Sequence, residues 1–177
     1  VGRLLNGIRV MKHTLRLTLA AACAVLAAAP ALAQTGALRT ERTLTLELAS
    51  QIATSTVAAC QAKGYAVSAA VVDRAGNLRV LLRADNAGPH TIESARQKAF
   101  TSASARNNTH AMMEGAQKNP GAANLVHLPG FLLLGGGVPV RAGDEVVGAV
   151  GVGGAPGGHL DEQCAVAALD AVKDQLK

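Results

Sequence analysis

Four histidines beyond the first thirty residues, His90, His110, His127 and His159, are the residues best able to bind a metal or move a proton near neutral pH. His90 opens the stretch "HTIE", which places Glu93 three residues on and hence on the same face of a helix. Arg96 and Lys98 follow within two turns, where a cation can meet a carboxylate. His90 and Glu93 fall short of a zinc site, which needs third and fourth ligands at readable spacing. Glu93, Asp161 and Glu162 are candidates for acid–base work, but carboxylates on loops and helices are ordinarily solvated, and we read them so. Ser94, Ser102 and Ser104 lack the strained G-x-S-x-G turn that exposes a nucleophilic serine.

The run "GVGGAPGGHLDEQC", 151–164, suggests a phosphate cradle. Counted from Gly151, the third glycine position of the dinucleotide fingerprint is Pro156. The helix that follows is the end of the sequence, so no second parallel strand completes a βαβ unit, and no Walker lysine is present. Another role for the glycines is to let a second backbone or a flat ligand approach the strand, which makes Gly153 and Gly154 candidate binding positions. The free N–H groups of the following helix could then meet an anion.

The elements that must position these residues read as follows. Thr45 can cap a helix with Leu48, Ile52 and Val57 at helical spacing, ending near Gly64. "YAVSAAVVD", "RAGN" and "LRVLLRAD" read as strand, turn and strand of an antiparallel hairpin. Thr91 can cap a second helix with Ile92, Ala95, Ala99, Phe100 and Ala103 on its core face and Arg96 and Lys98 elsewhere on its surface. A short helix from Thr109 carries His110, Met112 and Met113, and a loop carries His127. Phe131–Leu134, Val138–Arg141 and "VVGAVGVGG" read as three further strands, and the last helix has Leu160, Cys164, Ala168, Val172 and Leu176 on one stripe.

The N-terminal part reads differently from the rest. Lys12 and Arg16 precede an apolar run from Leu17 to Ala29, and "ALA" at 31–33 fits a signal-peptidase site, giving a signal peptide over 11–33 with Gln34 as the mature start. Residues 1–10 read as upstream, non-native translation, 34–43 as a disordered N-terminus, and 44–177 as one domain. Such a protein would be periplasmic or secreted, with no membrane span after cleavage. Without Arg3, Arg9, Lys12 and Arg16, the seventeen basic residues become thirteen against twelve acidic ones. That near balance, with only Tyr65, Phe100 and Phe131 as aromatics, excludes a nucleic-acid partner. Cys60 and Cys164 are read first as buried thiols, with a bridge as the alternative.

Three stretches together, "VVDRAGN", "ARQKAFT" and "GVGGAPGG" followed by Asp161 and Cys164, resemble the GlcG/HbpS-like haem-binding family in its secreted branch. The resemblance runs from about Leu44 to Leu176. It implies an α+β, profilin-like fold with a five-stranded antiparallel sheet flanked by helices, assembly into homo-oligomers, and, in several members, haem or a related tetrapyrrole as ligand. Haem requires an apolar cleft, cations near its propionates and usually an axial side chain. His90 is the first candidate for iron, His127 the second and His110 the third, with Arg96 or Lys98 near propionates. The histidine that one branch of the family carries in its first helix has no counterpart between Leu44 and Gly64. The alternatives are an enzyme acting on a small carboxylate or hydroxy acid through Glu93, His90 and Arg96, and an oligomeric accessory protein without ligand chemistry.

Overall fold

The structure, a computed structural model, describes residues 38–177. The signal-peptide and upstream-translation readings lie outside the described residues. The described part of the expected irregular N-terminus, 38–43, forms no regular element.

Helix α1 (Leu46–Gln61) starts where the sequence indicates: Thr45 Oγ1 accepts a hydrogen bond from the Leu48 amide at 3.2 Å, satisfying one free donor of the first turn. Strands β1 (Ser68–Asp73) and β2 (Leu78–Arg83) form the expected antiparallel hairpin. Asp73 Oδ1 closes its turn by accepting from the Ala75 and Asn77 amides, each at 2.9 Å. Next come α2 (His90–Ala105), α3 (Thr109–Lys118), the single turn α4 (Pro120–Ala123) and a 3-10 turn (Asn124–His127). Strands β3 (Gly137–Ala142) and β4 (Glu145–Gly153) lead into α5 (Gly158–Val172).

The sheet is antiparallel throughout, in the order β2-β1-β4-β3. Among the described residues it has four strands, which corrects the expected five. Phe131–Leu134 takes no strand conformation. Threonine side chains hold its backbone: the Leu132 amide donates to Thr101 Oγ1 and Thr109 Oγ1 donates to the Leu134 carbonyl, so these groups need no neighbouring strand.

Strand alternation builds two cores. Val71, Val150 and Val152 point to a larger core with Ile52, Ala53, Val140, Cys164 and Ala165, where α1 and α5 pack. Ala70, Val72 and Ala149 point to a smaller core with Ala95, Ala99 and Ala103 of α2. The small side chains bring α2 so close to β4 that a Cβ at Gly151 would collide with the Ala95 carbonyl and the Ala99 amide. The approach left open by the glycines is therefore that of another backbone.

Across the larger core, Cys60 of α1 and Cys164 of α5 form a disulfide with their Cα atoms 5.3 Å apart. This corrects the free-thiol reading. The two helices pack side by side and present the cysteines at bonding distance, which residues separated by 104 positions do not reveal in sequence.

Candidate functional site

Helix α2 begins two residues earlier than a Thr91 cap implies, at His90, with Pro89 as its N-cap. Thr91 is buried instead of capping: its hydroxyl reaches the Gly88 carbonyl at 2.6 Å and Ser68 Oγ at 2.7 Å. Ala95, Ala99 and Ala103 face the core as expected, whereas Ile92 is exposed.

Lys98 departs most from expectation. It is 2% exposed, its ammonium donating to Asp161 Oδ2 and to the Val152 carbonyl, each at 2.8 Å. Asp161, expected in solvent, is equally buried and accepts from the Ala155 amide through its other oxygen at 3.0 Å. Burial pushes its carboxyl above the ordinary range, opposed by Lys98 and that amide. The pair ties α2 to the start of α5 and to the end of β4, so Lys98 is held by the fold and does not present a cation at the surface.

The other residues singled out from sequence disperse. His90 is exposed, its imidazole folded over Gly88. Glu93 and Arg96 are an exposed ion pair at 2.6 Å, which holds the Glu93 carboxyl below its ordinary range. His127 is exposed on its 3-10 turn. At Gly153 the neighbouring space is taken by Ser94, and at Gly154 by the Ala66 carbonyl and Val67.

A cleft of about 490 Å³ brings two other histidines together. His110 of α3 and His159 of α5 line it, with Glu162, Val166 and Asp170 of α5 and Lys63, just beyond α1. The disulfide lies under this face: Cys60 is three residues before Lys63, and Cys164 follows Glu162 by two. Lys63 Nζ also donates to Gln163 Oε1 at 3.1 Å, linking the two walls at the rim.

His110 is seated by the glycine bend before β3. A Cβ at Gly135 would lie 2.8 Å from His110 Nδ1 and 3.0 Å from the Gly158 carbonyl carbon, so only glycine leaves room for the ring there. A Cβ at Gly136, whose φ is +118°, would lie 2.7 Å from Asp161 Cβ. Thr109 bolts the same bend to α3 by accepting from the Gly137 amide at 2.8 Å. The bend is thus held between the buried ion pair and the imidazole.

Two polar atoms at this cleft are buried without a hydrogen-bond partner, His110 Nδ1 and Glu162 Oε2. Such atoms cost free energy until paired and are uncommon in folded proteins. Among the described residues no group of three or more His, Cys, Asp or Glu is arranged to hold a metal ion. His110 was the third candidate from sequence, His159 was one of the four histidines but was not ranked among them, and Lys63 was not singled out. The spacing of His159 and Glu162 in "HLDE" repeats that of His90 and Glu93, a signal that was present in the sequence.

Comparison with known proteins gives a consistent result. Residues 44–170 match the family model described as haem degrading protein HbpS-like. Protein GlcG of Escherichia coli is 35% identical over 115 residues, 65% of this chain and 84% of GlcG. The crystal structure of a double mutant of Streptomyces reticuli HbpS is 45% identical, with a TM-score of 0.72 over 82% of this chain and 98% of that one. A PduOC:haem complex, 23% identical with a TM-score of 0.65 over 73% of this chain and 94% of the other, shares the fold.

Proposed function

Because the chain belongs to the HbpS-like family, whose model is described as haem degrading protein, we propose that it is an exported protein that binds haem or a related tetrapyrrole in the cleft lined by α3, α5 and Lys63. The observation that carries the reading is the cleft of a family member that His110 and His159 both line, together with the apolar Val166 and Ala167.

These residues fit the group. Imidazole is a common axial ligand of haem iron, and two imidazoles, those of His110 and His159, line the cleft. Lys63 at the rim is the cation placed to meet a propionate. Bound haem would supply a redox-active iron and an intense absorbance. The chain itself would orient the ligand, shield one face with Val166 and Ala167, and hold its carboxylates. The PduOC:haem complex supports tetrapyrrole binding as a capacity of this fold. The disulfide supports export, since such bonds persist in oxidising compartments. Self-association is part of the proposal, supported by Val126, Leu128 and Leu134, which expose large apolar side chains close together in sequence.

Titration of the purified domain with haemin, read by absorbance in both iron states, tests the reading. A saturable Soret shift, lost or altered in His110→Ala or His159→Ala and retained in His127→Ala, is expected. Loss in His90→Ala alone would move the site to the start of α2. No shift beyond that of free haemin would remove haem as ligand.

A further inference from the structure

We infer that the Cys60–Cys164 disulfide positions Lys63 at the cleft, so that the site for a ligand carboxylate is complete only in the oxidised chain. This inference rests on the proposed binding of a tetrapyrrole there. Its first support is the turn that ends α1. The Cys60 carbonyl accepts from the amides of Lys63 and Tyr65, each at 3.0 Å, and Gly64 between them takes a φ of +80°. The turn that carries Lys63 is thus fastened to the backbone of Cys60. The second support is on the facing helix. Cys164 follows Gln163, whose Oε1 accepts from Lys63 Nζ at 3.1 Å, and the cleft-lining Glu162 and Val166 flank Cys164 two residues to either side. One covalent bond therefore joins the residue that anchors the lysine turn to the helix segment that forms the cleft wall.

The effect is one of preorganisation. Lys63 is exposed, so meeting a carboxylate restricts a long side chain, and a turn free to move would add its own ordering to that loss. With the bond in place the turn is fixed before the ligand arrives. Both cysteines are fully buried, which keeps the bond from exchange with thiols in solution once the chain has folded. The chain then holds a carboxylated tetrapyrrole tightly only when it has folded in an oxidising compartment.

Titration of haemin, and of haemin dimethyl ester with its carboxylates masked, against wild type, Lys63→Met, Cys60→Ala/Cys164→Ala and the triple variant tests the link. Lys63→Met should weaken haemin binding roughly tenfold in wild type, the scale of one charge-assisted hydrogen bond, and change it little once the disulfide is gone. The cysteine pair should weaken haemin by a similar factor and leave the ester unaffected. An equal loss from Lys63→Met with and without the bond would overturn the inference, as would a cysteine pair that weakens haemin and ester alike. Cys60→Val/Cys164→Ala, which refills the space of the sulfurs, takes the place of the alanine pair if that variant does not fold. If haemin fails to bind wild type, the proposed function falls, whereas amide exchange still reads the link between the bond and the turn. Lys63 and Tyr65 should lose more protection in the cysteine variant than Ile52 and Ala53 in the middle of α1, and equal changes at the four amides would overturn the inference.

Discussion

Lys98 Nζ lies 2.8 Å from Asp161 Oδ2, and the two side chains are 2% and 3% exposed, an ion pair sealed between α2 and the first turn of α5. Removing one partner leaves the other charge buried and alone. Asp161→Ala should therefore cost about 3 to 5 kcal/mol, and Lys98→Met/Asp161→Leu should recover much of that loss. Urea unfolding checks both, and equal losses in the single and double variants would contradict the expectation.

The pH response of two carboxylates should be opposite in sign. Asp161, raised from 3.8 by burial, binds more protons folded than unfolded, so its contribution to stability falls as pH rises through the raised value. Glu145, held below its ordinary range by Arg42 and Arg74, contributes above that range and loses its contribution as pH falls. Unfolding midpoints from about pH 3 to pH 7 should show a smaller decline toward higher pH in Asp161→Asn and a smaller acid-side loss in Glu145→Gln. Profiles parallel to wild type would contradict both assignments.

Gly151→Ala should destabilise by about 1 to 3 kcal/mol or more, because the added methyl meets the backbone of α2 at Ala95 and Ala99. Gly143→Ala is the comparison: it has open space around its Cβ position but a φ of +62°, so it should lose only the smaller cost of strained backbone, about 1 to 2 kcal/mol. Thermal unfolding of the two variants checks the order.

Reduction of Cys60–Cys164 should lower stability by about 4 to 5 kcal/mol, since the bond closes a loop spanning 104 positions. Urea midpoints with and without a dithiol measure the effect. Alkylation of the unreduced protein should add no mass at either cysteine.

Local pattern carried much of the fold and little of the site. Thr45, the "RAGN" turn and the β-branched, apolar run in "YAVSAAVVD" act over a few residues, and the structure keeps a cap, a turn and a strand there. Phe131–Leu134 is apolar enough to be a strand, but Thr101 and Thr109 take up its backbone groups from other elements. Lys98 lies on a helix rich in polar residues, and its burial follows from Asp161, sixty-three positions away. His110 and His159 likewise come to line one cleft only through the packing of α3 near α5, which spacing along the chain does not encode.

The Cys60–Cys164 bond also changes what kind of object the polypeptide is. From 60 to 164 the backbone is a closed ring, with both chain ends outside it. A protease that cuts once in the irregular stretch between α4 and β3 opens that ring without releasing a fragment. The nicked molecule would migrate as one piece until a reductant separates it into two, and its hairpin and terminal helix would stay tethered through the cut.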